Sequence, residues 1–275
     1  GVGVKIARIF PRRTKATPVD ELAFCGKDKP AGEYDEIHIS VTFTYDLPLV
    51  DDIAKAWQGR GEIKIGGPAY IDKEKEFVPK KYLRDGYVIT SRGCVNKCWH
   101  CRVWRKNPDL IELPIVEGNI IQDDNILATS DNHLYKVFDM LKTQKDIVFS
   151  GGLDPALLNK CHLEKMAGLN IEQLFTAYDD DHDLEPFINA AGILNEYGFT
   201  VKNRKAFCYV LIGYPNDTID KAESRLKTVF SHGVIPFAML YRDKIGNTKK
   251  EWRGFQRQWS NMWILMTTAK KMGII

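Results

Sequence analysis

Phe207-Cys208-Tyr209-Val210-Leu211-Ile212-Gly213-Tyr214-Pro215-Asn216-Asp217-Thr218 is a run of six apolar residues that stops at a glycine, turns through a proline and ends on two good helix caps. An unbroken apolar run of this length is what a strand buried on both faces of a parallel sheet looks like, because neither face asks for a polar residue at alternate positions. The helix that follows, capped by Asp217 or Thr218, should run to Gly233, and 234–241 then reads as the next strand. The same unit recurs upstream. Residues 87–90, 147–149 and 171–177 read as strands. A helix near 132–141 carries Leu134, Val137, Phe138 and Leu141 on one face and is capped by Ser130 or Asp131. Asp154-Pro155 should open the next helix, and another should run from about 183 to Gly198. A sixth strand is not clear; 120–127 is a candidate. Strand–helix units repeating in one direction predict an α/β fold, a full or partial (β/α) barrel whose chemistry sits at the C-terminal ends of its strands.

Ahead of this lies a smaller alternating unit, with strands at 4–9, 36–43 and 62–65, a helix at 48–57, and Gly66-Gly67-Pro68 after the last strand. The lysine-rich stretch 72–81 breaks the pattern, so the expected division is a small α/β unit over 1–80 and a barrel with a C-terminal helix over 81–275. In that last helix Trp252, Phe255, Trp259 and Trp263 recur at spacings of three and four, the pattern of a buried stripe. From 242 to 275 there are eight Lys/Arg against two Asp/Glu, which reads as a solvated basic face in preference to a nucleic-acid surface.

Composition sets bounds. With 44% hydrophobic and 27% charged residues, the 275-residue chain sits near globular averages, which argues against disorder, collagen and coiled coil. A net charge of +3 implies no polyanionic partner. No apolar run approaches the roughly 20 residues needed to span a bilayer, and residues 1–10 read as a strand and not as a leader, so a cytoplasmic protein without a membrane partner is expected.

Six cysteines are present. Cys25, Cys161 and Cys208 are scattered, but Cys94, Cys98 and Cys101 fall in Cys94-Val95-Asn96-Lys97-Cys98-Trp99-His100-Cys101, immediately after the first barrel strand. Clustering of this kind points to a metal and not to a disulfide framework. Three closely spaced thiolates can hold three corners of a four-iron cubane and leave the fourth iron open for a chelating small molecule. A zinc site completed by His100, His133 or His162 is an alternative, although no second cysteine knuckle is present. A ferredoxin-like electron carrier would want a fourth cysteine nearby, and Cys161 is far along the chain.

This CxxxCxxC spacing and its context resemble the radical S-adenosylmethionine superfamily. The resemblance covers about Gly86 to Tyr241 and implies a four-iron four-sulfur cluster on Cys94, Cys98 and Cys101. Its open iron would take the amino and carboxylate groups of S-adenosylmethionine, and one-electron reduction would yield a 5′-deoxyadenosyl radical. It also implies an electron donor such as flavodoxin or ferredoxin. His100 stands where the superfamily usually carries an aromatic residue beside the adenine; its other reading is a shield for the cluster. Gly151 and Gly152, in Phe149-Ser150-Gly151-Gly152-Leu153-Asp154, resemble the motif that receives the methionine ammonium group, with Asp154 one residue later than the usual acid. Asp179, or Asp180 after it, stands where related enzymes bind the ribose. Gly213, with Tyr214-Pro215 and the trailing acid, resembles the adenine-side wall of the methylthiotransferase and cobalamin-type branch, and Arg92 in Thr90-Ser91-Arg92-Gly93-Cys94 also matches that branch. Tyr178 and Cys208 are weighed as hydrogen donors, each with core packing as the stronger reading.

The small N-terminal unit looks like a shortened form of that branch's cobalamin-binding domain. About 80 residues are too few for the full nucleotide-type domain. No Asp-x-His-x-x-Gly segment supplies a lower axial ligand, and His38, alone on a strand, reads as packed or solvated. Cobalamin is therefore not expected, cobalamin-dependent methyl transfer stays an alternative, and the substrate is open.

Overall fold

Two parallel sheets, each with its own apolar core, carry the chain. The computed structural model describes residues 3–27, 32–70, 79–243 and 246–275.

The first sheet contains β1 (Ile6–Phe10), β2 (Ala23–Cys25), β3 (Glu36–Ser40) and, after helix α1 (Val50–Trp57), β4 (Glu62–Gly66). All pairings are parallel in the order β2-β1-β3-β4, so the winding reverses between β1 and β3. Trp57 of α1 is wholly buried against Phe24, at 5.2 Å between ring centres, and Tyr34 at 6.1 Å, and it anchors the helix on the sheet. β2 was not foreseen, and β3 ends at Ser40, short of the predicted 43. Residues 72–78 of the predicted linker 72–81 lie outside the described residues, and its end enters the short helix α2 (Pro79–Tyr82). Three contacts tie the first unit to the chain that follows. Arg8 donates to the Lys81 carbonyl at 2.5 Å, the Arg84 N–H to the Ala16 carbonyl at 2.8 Å, and buried His38 pairs with the Tyr82 hydroxyl.

β5 (Tyr87–Val88) begins the second sheet. An antiparallel ribbon of β6 (Ser91–Arg92) and β7 (Ile111–Glu112) then brackets the cysteine loop and the short helix α3 (Val103–Lys106). Next come β8 (Ile120–Ile121), α4 (Asp131–Leu141), β9 (Ile147–Phe149), α5 (Lys160–Met166), β10 (Ile171–Ala177), α6 (Leu184–Glu196), β11 (Ala206–Ile212), α7 (Ile219–Ser231) and β12 (Ile235–Leu240). Neighbours in this sheet follow β12-β11-β10-β9-β8-β5, all parallel, so each strand is laid beside its predecessor. The architecture is thus mixed α/β, with a six-stranded parallel sheet flanked by helices.

Local chemistry sets the helix starts. Ser130 caps α4 by accepting from the His133 N–H at 3.2 Å, and Thr218 caps α7 by accepting from Lys221 N–H at 3.3 Å. Two expectations need correction. Asp154-Pro155 makes only a turn, and α5 begins later, where Asn159 accepts from the His162 N–H at 3.2 Å. The predicted C-terminal helix is two, α8 (Lys250–Gln258) and α9 (Met262–Lys271), because Asn261 accepts from the Trp263 and Ile264 N–H groups and starts a new helix. The break resets the helical phase: Trp252, Phe255 and Trp259 are buried, but Trp263 is 83% exposed.

Alternation along the long strands separates two faces. Cys208, Val210 and Ile212 of β11 are fully buried in one core with Leu226, Val229 and Phe230 of α7. Tyr178 stacks on Phe187 of α6 at 5.6 Å. Tyr178 and Cys208 therefore belong to the helix-facing side, and their core reading holds. Phe207 and Tyr209, on the opposite face, stack with Phe175 of β10 at 4.9 and 4.6 Å, and Phe237 of β12 adds an edge contact to Tyr209. This aromatic face reaches the turn after β9, where the Tyr209 hydroxyl meets the Ser150 carbonyl.

Candidate functional site

The segment entering the cysteine loop is gripped by three consecutive side chains that follow β8. Asp123, 1% exposed, accepts from the Thr90 N–H and hydroxyl, both at 2.7 Å, and from the Ser91 hydroxyl at 2.6 Å. Asp124 accepts from the Gly93 N–H at 2.9 Å and lies 3.7 Å from the Arg92 guanidinium. Asn125 donates its amide to the Cys94 sulfur at 3.4 Å. Residues 90–94 are thus fastened step by step to the end of the neighbouring strand. Burial pushes the Asp123 carboxyl above its ordinary value against the pull of its hydroxyl and N–H donors, which lower it.

The loop itself is pinned at both ends. Asp154 accepts with one oxygen from Asn96 at 2.7 Å and from Asn125 at 2.9 Å, and with the other from the Ala156 N–H at 3.0 Å. On the far side Trp104 donates to the Cys98 carbonyl at 2.9 Å, and Arg105, stacked on Trp104, donates to the Cys101 carbonyl at 3.0 Å. The sulfurs receive N–H donors as well: Asn96 N–H to Cys94 and Val103 N–H to Cys101, both at 3.4 Å.

The three thiols share one electrostatic neighbourhood. Burial pushes the Cys98 thiol up to about 11, and Cys101, Asp183, Cys94 and Asp179 add to the rise. Burial also raises Cys101, partly offset by the Val103 N–H. Burial thus favours the neutral thiol at Cys98 and Cys101, and a cation beside them would favour the thiolate.

Of the residues expected to face a cofactor, Asp154 and Asp179 reach this loop from other strand ends. His100 Nε2 lies 3.4 Å from Asp179, whose second oxygen accepts from the Leu211 N–H at 2.8 Å. Asp179 therefore joins the cysteine loop to β11. Asp180, the second candidate, instead caps the following turn, accepting from the His182 N–H at 2.9 Å. Trp99 packs against Tyr214 and Tyr241, with ring centres at 5.5 and 5.9 Å, and roofs the ends of β11 and β12.

Gly151 and Gly152 follow β9, and Tyr209 donates from the aromatic face to the Ser150 carbonyl just before them, at 3.1 Å. A Cβ at Gly151 would drive into the Asp123 backbone, so the glycine is demanded by the close approach of the β8 end. Gly213, with φ of +73°, donates its N–H to Asp217 at 2.8 Å and would place a Cβ 2.9 Å from Trp252. Asp217 in turn pairs with Arg225 at 2.9 Å, both buried, and Arg225 also donates to the Leu211 carbonyl.

Among the described residues no three His, Cys, Asp or Glu side chains form a group that could hold a single metal ion. A four-iron cluster takes each thiolate at a separate iron and spaces them wider than one ion does. The donor set fits such a group: three sulfurs on one short loop, N–H donors to two of them, and two buried polar atoms beside them, His100 Nδ1 and Asn125 Oδ1, that have no hydrogen-bond partner among the described residues. Of the histidines considered for zinc, His100 lies within the cysteine loop with its Nε2 3.4 Å from Asp179, and the other two have their own surroundings. His133 contacts Thr90 and Glu112, and His162 is buried on α5.

No family model matches this chain, and no curated protein matches it. No helix among the described residues is long and apolar enough to cross a membrane.

Sequence reasoning missed Asn96, Trp104, Arg105 and the 123–125 grip. Their partners lie up to 58 residues away, and the only local signal was the run Asp123-Asp124-Asn125 beside a candidate strand.

Proposed function

We propose that this protein is a radical S-adenosylmethionine enzyme built on a partial (β/α) barrel, with a four-iron four-sulfur cluster held by Cys94, Cys98 and Cys101. The observation that carries the reading is the three-cysteine loop, fastened by Asp154 and residues 123–125 at the C-terminal edge of a parallel sheet whose strands follow one another in sequence order. That edge is where (β/α) enzymes keep their chemistry. When bound, the cluster and S-adenosylmethionine supply the electron and the carbon radical.

The chain's own residues hold and shield. Asn125 and the Asn96 N–H donate to Cys94 and orient its sulfur, and the Val103 N–H donates to Cys101 and favours its thiolate. Asn125 Oδ1, an acceptor left open next to Cys94, suits an ammonium group. Asp179 holds His100 in place, and Trp99, Tyr214 and Tyr241 pack together over the strand ends.

Anaerobic reconstitution with iron and sulfide, followed by S-adenosylmethionine and dithionite, tests the reading. Release of 5′-deoxyadenosine supports it. Stoichiometric zinc with no cleavage would replace it with a metal-binding module.

A further inference from the structure

A cavity of about 290 Å³ opens between the first unit and the segments flanking the cysteine loop. One wall comes from the loops after β3 and β4, the other from Arg92, Asp124 and the chain from Arg102 to Asn107. In an open parallel α/β sheet the crevice outside the carboxyl ends of the strands is the natural ligand position, because the loops diverge there. Both loops leave such ends, and they are fixed to one another: the Val41 N–H donates to the Gly66 carbonyl at 2.8 Å and the Ala69 N–H to the Val41 carbonyl at 2.9 Å.

The lining has two chemical halves. Phe43, Tyr45 and Tyr70 supply rings, with Phe43 and Tyr45 stacked in parallel at 5.1 Å. Facing them, Arg92, Arg102 and Lys106 supply three cations against the single carboxylate of Asp124. Arg242 lies 4.7 Å from the centre of the Tyr45 ring and adds to the positive field. Guanidinium and ammonium groups converging on one side of a cavity favour a phosphate or carboxylate, and aromatic walls favour a flat ring. The volume lies near the lower end of the roughly 300–1,000 Å³ found for small-ligand pockets, room for one ring system and one anionic group.

We propose that this cavity is a binding site for a small anionic molecule carrying a planar ring, of nucleoside monophosphate size. The proposal rests on the lining alone and stands whether or not the cysteines carry a cluster.

Isothermal titration of the purified full chain with AMP, GMP, CMP and UMP, with indole-3-carboxylate, and with adenosine and inorganic phosphate as separate halves, tests it. At least one ring-bearing anion should bind, and each half should bind at least about tenfold more weakly than the joined molecule. Nucleotide binding alone would identify a phosphate ligand and carboxylate binding alone a carboxylate ligand. Arg102→Ala removes an exposed side chain, and Phe43→Leu keeps an apolar side chain but removes a ring; each should weaken binding by about tenfold, and added salt should weaken it further. Failure of every ring-bearing anion to saturate, or undiminished binding in both variants, would overturn the proposal. The second result would place the ligand elsewhere than in this cavity.

Discussion

Replacing Asp154 by alanine separates two roles for one carboxylate, a clamp on the cysteine loop or a contact to a bound cofactor. The change removes the acceptor for Asn125, which is 3% exposed, and for Asn96 on the loop surface. A buried hydrogen bond to a charged acceptor contributes about 1.5–3 kcal/mol and an exposed one about 0.5–1, so the loop should lose roughly 2–4 kcal/mol of its hold. In the iron-free protein, hydrogen exchange of the Asn96 N–H, which donates to the Cys94 sulfur, should speed up by roughly a hundredfold, while the helices of the second core keep their protection. Reconstituted Asp154→Ala should also lose iron faster than the parent. If its iron-free exchange matches that of the parent and only S-adenosylmethionine cleavage suffers, the clamp reasoning is wrong and the carboxylate acts on the cofactor.

Other expectations follow from the same contacts. Cys98→Ala should hold no cubane and cleave no S-adenosylmethionine; full activity in that variant would refute the ligand assignment. Arg225→Met strands the wholly buried Asp217 without its cation and should cost about 3–5 kcal/mol in urea unfolding, whereas a loss below about 1 kcal/mol would show that the pair does not fix the Gly213 turn. Burial pushes the Tyr209 phenol up to about 12 from an ordinary value of 10.0, so the unfolded chain loses that proton first. Stability should therefore fall as pH rises through that window, by about 1.4 kcal/mol per pH unit for this one group, and Tyr209→Phe should flatten the slope in alkaline denaturation curves.

Much of the scaffold was legible in the sequence because its signals are local. The runs at 147–149, 171–177 and 207–212 read as strands without help from the rest of the chain. The cysteine spacing located the loop. β2 escaped notice because three residues inside a polar stretch carry no periodicity, and pairing with β1 makes them a strand. The C-terminal stripe was legible to Trp259 and misread at Trp263, because a cap at Asn261 changes the phase while the spacing of tryptophans continues. Asp154 and Asp179 were picked out by motif position, but their visible partners, Asn96 with Asn125 and His100 with the Leu211 N–H, come from other strand ends that only the fold brings near.

The electron paramagnetic resonance spectrum of the reduced, oxygen-protected protein, recorded before and after S-adenosylmethionine is added, tests the proposed open iron site directly. The account predicts a reduced four-iron signal whose g values shift when the cofactor binds, with the signal absent from Cys98→Ala. A protein that takes up no iron, or a four-iron signal indifferent to S-adenosylmethionine, would contradict it.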